Sequence, residues 1–193
     1  VEPLVGVFKD ATLTQNTVML AHKNKKNFIP LNTTGGYVET LRTSLMTNML
    51  NQRLQAQLDG STRSSSSPAS PPYLQAGVDV DYVTGLVRSK QALHWYAVAA
   101  PGQEAKTLQA LHEEALRVVQ HGFTQSELDR AVREHLTYLN NSSNNYQKAT
   151  EYIRGIVEDE PLPEIAWERA AQRKYLPLVT VAEVNQVARE FIQ

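Results

Sequence analysis

The spacing of apolar residues changes three times along this chain, and each change marks a switch between strand and helix. Leu4 to Phe8 and Thr17 to Ala21 are short stretches rich in β-branched or bulky apolar residues, with polar Lys9 to Asn16 between them. Such a pair predicts a β-hairpin. After the basic stretch HKNKKN and the turn-forming pair Gly35-Gly36, the period lengthens. Leu41, Leu45, Met46, Met49, Leu50, Leu54 and Leu58 recur along one broad face, which predicts a long helix over Thr40 to Leu58 lying against a sheet. Asp59-Gly60 is expected to end it. The Ser- and Pro-rich run that follows has too little apolar surface to pack, so residues 60–72 are expected to form a flexible surface loop.

The period returns to two over Tyr73 to Val87 and Ala92 to Ala100, predicting two more strands closed by Pro101-Gly102. In the first of these, Leu74, Ala76, Val78, Val80 and Tyr82 share one face. Everything beyond is helical in pattern. Leu108, Leu111, Ala115, Val118 and Val119 make one stripe, and Gly122 stops that helix. Thr124-Gln125-Ser126-Glu127 is a capping box, opening a helix that packs Leu128, Ala131, Val132, His135, Leu136 and Leu139 inward. A polar break, NNSSNN, precedes helical stretches near Tyr146 to Val157, Pro163 to Tyr175 and Thr180 to Phe191. Thr180 and Glu183 repeat the capping pattern in the last. Strands first and then a run of helices argue for an α+β fold, an antiparallel sheet covered on one face by helices. A doubly wound parallel sheet would need strands in the second half, and the pattern offers none.

Composition narrows the function more than the fold. At 193 residues with 41% hydrophobic content, residues 1–193 make a single α+β module with one sizeable core. No apolar run reaches the roughly 20 residues of a membrane helix, so no membrane span is expected. Nineteen Lys plus Arg against twenty Asp plus Glu leave a formal charge of −1, with no basic surplus for a phosphate backbone. Nucleic acid is therefore not an expected partner. Zero cysteines exclude disulfides, thiolate metal sites and a Cys nucleophile, while leaving the compartment open. The opening Val1-Glu2-Pro3, with no initiator Met, suggests a fragment of a longer multi-module chain.

The one stretch that hints at metal chemistry is Ala131-Val132-Arg133-Glu134-His135, a single residue short of the H-x-x-E-H zinc motif. That motif needs two imidazoles on one side of a helix, and Ala131 cannot ligate. His135 lies on the apolar stripe of its helix, which favours a core histidine with a hydrogen-bond partner. His22, His94, His112 and His121 have no His three or four residues away, and Glu113-Glu114 beside His112 reads as a solvated acidic face. Ser64 to Ser67 are linker serines, no G-x-S-x-G turn occurs, and Gly35-Gly36 lacks the glycines and Lys of a phosphate loop. From its residues alone the chain is an α+β scaffold, with no catalytic, cofactor-binding or metal-ligating residue assigned.

Three segments in this order carry a resemblance: PLVGVFKDATLTQNTVMLAHKN, TLRTSLMTNMLNQRLQAQL and ALHEEALRVVQHGFTQSELDRAV. Together they resemble the insulinase/pitrilysin family of zinc metallopeptidases, to which the mitochondrial processing peptidases are similar. Its most specific parts are Met49-Leu50-Asn51-Gln52-Arg53-Leu54 and the Gly122-Phe123-Thr124 turn followed by Glu127-Leu128 and Ala131. The family's zinc motif lies on a helix early in the catalytic module, and the matching helix here, Thr40 to Leu58, holds no histidine and no glutamate.

The resemblance therefore implies a non-catalytic structural and substrate-chamber module, such as the second domain of a longer bacterial protease. Zinc would sit in a neighbouring module of the parent, and none in this segment. The implied partners are the other modules of that parent and peptide substrates, which could pair with a sheet edge at Tyr73 to Tyr82 or Leu93 to Ala99. The compartment is not fixed by the sequence, and a periplasmic or otherwise extracytoplasmic bacterial location is the expectation. A non-enzymatic peptide-binding or assembly subunit with the same fold is the alternative, and a metalloenzyme with dispersed ligands is a third reading.

Overall fold

The computed structural model describes residues 4–10, 12–24, 33–63, 71–83, 87–141, 152, 156 and 163–193. Strand β1 (Asn16–Lys23) leads to the long helix α1 (Thr34–Arg63), then to strands β2 (Tyr73–Val83) and β3 (Val87–Ala99). Helices α2 (Glu104–His121), α3 (Gln125–Asn141), α4 (Ile165–Tyr175) and α5 (Val181–Ile192) follow, with a short 3-10 turn, Leu176–Leu178, between the last two. Among the described residues the sheet has three antiparallel strands in the order β1-β3-β2. This is the expected α+β architecture. The helix expected near Tyr146 to Val157 lies largely outside the described residues, as do Ser64 to Ser67.

The predicted hairpin does not form. Leu4 to Phe8 adopts no strand, and β1 pairs with β3 instead, Leu20 opposite Trp95. Alternation decides this. Val18, Leu20 and His22 of β1 turn toward the helices while Thr17, Met19, Ala21 and Lys23 face solvent. Leu4, Val5, Val7 and Phe8 are apolar on both sides of any strand they could make, and a sheet covered on one face can bury only one side.

Strand β3 is the middle of the core. Leu93, Trp95, Ala97 and Ala99 are all buried under the helices. On β2 the expected stripe holds for Ala76, Val78 and Val80 but not for Leu74, which is exposed. A register shift between Tyr73 and Gln75 turns Tyr73 inward in its place. Beyond the hydrogen-bonded layer, the ring of Tyr96 lies across Gly77, where a Cβ would meet Tyr96 Oη at 2.3 Å. Only glycine leaves that room.

The stripe on α1 is buried as predicted, with Leu41, Leu45, Met46, Met49, Leu50 and Leu54 all in the core. Both of its ends move outward, however. Gly35-Gly36 lies in the first helical turn rather than before it, because the Thr33 hydroxyl accepts from the Gly36 amide at 3.0 Å and caps the helix earlier. At the other end Gly60 does not stop the helix, which runs to Arg63. A lone glycine costs only about 1 kcal/mol, and no proline intervenes before Pro68. The expected loop 60–72 thus begins as helix, and its stretch 64–70 lies outside the described residues. Its end is anchored, since the Pro72 carbonyl accepts from the Ala100 amide at 2.9 Å and from the Thr107 hydroxyl at 2.8 Å.

Candidate functional site

The two segments singled out as most specific in the sequence meet in space, and an arginine joins them. Arg53 Nε donates to Glu127 Oε1 at 2.6 Å, and its Nη2 donates to the Gly122 carbonyl at 2.8 Å. The guanidinium lies 4.8 Å from the centre of the Phe123 ring. It also pairs with Glu114 Oε1 at 3.4 Å. Glu127 in turn closes the predicted capping box, accepting from the Thr124 amide at 2.7 Å while its own amide donates to the Thr124 hydroxyl at 3.3 Å. One carboxylate therefore caps α3 and holds α1.

This network corrects the reading of Glu113-Glu114 as a solvated pair. Glu114 is only 2% exposed and belongs to the inward face of α2. Thr107 is buried on the same face, whereas Leu108, expected in the stripe, is exposed. A buried carboxylate needs partners, and Glu114 has Arg53, Arg117 at 3.5 Å and the Gln57 amide, which donates at 3.0 Å. Gln57 also accepts from the Tyr73 hydroxyl at 2.8 Å.

Electrostatics follow from this geometry. Burial opposes ionisation of Glu127, but hydrogen bonds from Arg53 and Thr124 outweigh it and bring its pKa down to about 2. Burial likewise disfavours the Arg53 cation, and Glu127 and Glu114 overcome it, so Arg53 is held more firmly protonated than usual. Burial and the nearby Glu114 charge push the Tyr73 phenol up to about 12. None of these groups is poised to exchange a proton near neutrality. They form a structural clamp.

The stretch that resembled a zinc motif dissolves in the same way. Ala131 is fully buried, and Glu134 accepts from the Gln52 amide at 2.6 Å. His135 Nε2 and Gln172 Oε1 are 3.0 Å apart, the side-chain partner that a core histidine requires. Among the described residues no group of three or more His, Cys, Asp or Glu side chains could hold a metal ion, so those residues offer no zinc site. The extended α1 gains Glu39, which bonds Arg42 at 3.1 Å, and gains no histidine.

Sequence spacing missed one approach. His22 on β1 and His112 on α2 come close enough to interact, and His22 Nδ1 is buried without a partner among the described residues. Burial first, and the His112 charge second, hold the His22 pKa below its ordinary value.

The expected peptide-pairing edges also change. Leu93 to Ala99 belongs to the central strand and has neighbours on both sides. Tyr73 to Tyr82 is at an edge, but a side chain seals it. Asn51 Nδ2 donates to the Val78 carbonyl at 2.8 Å, and Asn51 Oδ1 accepts from the Val78 amide at 2.8 Å. The next amide facing the same way, Val80, donates to Asp79 Oδ1 at 2.8 Å. Asn185 repeats the Asn51 device at Phe123, accepting from its amide at 2.6 Å and donating to its carbonyl at 3.3 Å.

Comparison with known proteins bears on the fold. No protein-family model and no curated protein matches the chain. Solved structures do. The periplasmic protease PqqL from Escherichia coli superposes with a TM-score of 0.76 at 16% identity, over 93% of this chain and 19% of that one. A predicted insulinase family protease from Yersinia pestis gives 0.74 at 13% identity, over 94% and 38%. A peptidase M16 inactive domain from Pseudomonas fluorescens gives 0.59 at 18% identity, over 93% and 38%. The chain has the fold of an M16 peptidase domain. It spans about a fifth of PqqL and under two-fifths of the other two chains. No helix among the described residues is long and apolar enough to cross a membrane.

Proposed function

We propose that this chain is a non-catalytic structural and substrate-chamber module of a zinc-dependent metalloendopeptidase, inactive alone. Its partners are the other modules of a longer parent, one of which holds the zinc, and the peptides that parent hydrolyses. The observation that carries the reading is the content of α1. In a fold shared with M16 peptidase domains, this helix offers no histidine, and the motif residues at its middle, Asn51 and Arg53, hold β2 and the α2–α3 turn instead of a metal. A bacterial extracytoplasmic setting is part of the same proposal, supported by the periplasmic description of PqqL.

The test is elemental analysis of the purified chain together with a peptidase assay on unstructured fluorogenic peptides. We expect substoichiometric zinc and no turnover above buffer. Zinc at one equivalent, lost to a chelator together with measurable cleavage, would establish the dispersed-ligand reading instead.

A further inference from the structure

The two edges of the sheet are not equivalent, and the difference points to a partner. Both backbone groups of Val78 bond to Asn51, so they face away from β3, and Val78–Trp95 is a non-hydrogen-bonded pair. Trp95 then turns its own groups toward Leu20 of β1. The Asn24 amide donating to the Gln91 carbonyl at 2.8 Å fits the same phase. Even-numbered residues of β1 therefore bond to β3, and Thr17, Met19, Ala21 and Lys23 direct their amides and carbonyls outward. Among the described residues β3 is the one strand that pairs with β1, so no described strand meets the outward groups of those four. While Val78 and the Val80 amide of β2 are occupied by side chains, β1 has no strand on its outer side among the described residues.

The core is unfinished on the same side. Val18 and Leu20 of β1 face the helices yet are only partly buried, whereas Leu93, Trp95 and Ala97 beside them on β3 are fully buried. A further strand outside β1 would bond its outward groups and cover those two side chains at once.

The chain carries an unused strand of the right composition. Leu4, Val5, Val7 and Phe8 are 94%, 83%, 76% and 91% exposed, an uncharged and β-prone run that lies largely in solvent. In its own molecule this segment forms no strand and belongs to no sheet among the described residues, and the turn after it is held by hydrogen bonds. The Thr12 amide and hydroxyl both donate to Asp10 Oδ1, at 2.8 and 2.7 Å, and the Leu13 amide donates to the Asp10 carbonyl at 3.2 Å.

We infer that the β1 edge is an interface between two copies of this chain, in which Leu4 to Phe8 of each adds as a fourth strand to β1 of the other. Alternate side chains of the segment then divide between the two faces. Leu4 and Phe8 fall on one side and Val5 and Val7 on the other, so apolar contacts form both beside Met19 and over Val18 and Leu20. The exchange is reciprocal and closes on itself. It goes beyond the wall-module proposal and does not depend on it.

The test is analytical ultracentrifugation of the whole chain across a concentration series, with backbone hydrogen exchange read at residues 17, 19, 21 and 23. Two variants strike the two halves separately. Val7→Asp puts a charge in the donated strand. Met19→Pro deletes an outward amide without removing a bond to β3, a position where an edge strand tolerates proline. We expect a concentration-dependent dimer, protection of the four amides that fades on dilution, and dimerisation at least about tenfold weaker in each variant. Unchanged circular dichroism of the monomers checks their fold. Mixing the two variants should restore a heterodimer, because one contributes an intact edge and the other an intact segment. A wild-type chain monomeric throughout, a dimer indifferent to both substitutions, a mixture that fails to pair, or amides protected equally at every dilution would each overturn the inference.

Discussion

Arg53 is the residue on which most of the helical layer converges. Replacing it by Met would leave Glu114 buried with only Arg117 and Gln57, and would strip Glu127 of its ion pair. Removing one partner of a buried pair typically costs about 3 to 5 kcal/mol. Urea denaturation should show a loss of that order, and Arg53→Lys should recover only part of it, since Lys cannot reach Glu127, Gly122 and Phe123 with one planar group. His135 is the contrasting case. His135→Leu removes one hydrogen bond to Gln172, whose amide still donates to Glu168 at 3.1 Å. The same measurement should register about 1 kcal/mol or less, with metal content unchanged. A loss of bound zinc in that variant would reopen the histidine motif.

At the scale of elements, what could be read in the sequence was what depends on near neighbours. The α1 stripe, the Gly122 helix stop and both capping boxes rest on residues within a few positions of one another, and all four are present. What could not be read depends on distant ones. The choice of β3 over Leu4 to Phe8 as the partner of β1 turns on which face the helices cover. The burial of Glu114 becomes tolerable only when Arg53 arrives from 61 positions away. A seal on β2 was equally invisible, because Asn51 and Val78 are 27 positions apart. That seal gives the element-scale prediction. Asn51→Ala exposes two backbone groups that Asn51 satisfied at a buried residue, costing about 1 to 3 kcal/mol, and opens β2 to pairing. Thermal melts should shift down, and light scattering should reveal association beyond the wild-type chain. A variant as stable and as soluble as wild type would mean that the amide contributes nothing.

For the whole molecule, acid stability should fall in two stages. His22 has a folded pKa below its ordinary 6.5, so the unfolded chain takes up that proton first, and stability begins to drop as pH falls below about 6.5. Glu127 acts lower. Its folded pKa of about 2 is depressed from 4.5, so its contribution is intact above about 4.5 and is lost as pH falls toward 2. Denaturation midpoints measured from pH 8 to pH 2 should show both declines. His22→Asn should remove the upper one and Glu127→Gln the lower, each leaving the other in place. Midpoints flat from 8 to 5 in the wild-type chain would count against the role given to His22.

The amide of Asn51 also sets a limit on growth. A β layer that can recruit a neighbour on either flank propagates without end and yields fibres, whereas one blocked flank leaves a single direction of recruitment. By occupying Val78, one short side chain takes both backbone groups that a neighbour would need there, which leaves the β1 side as the flank for recruitment.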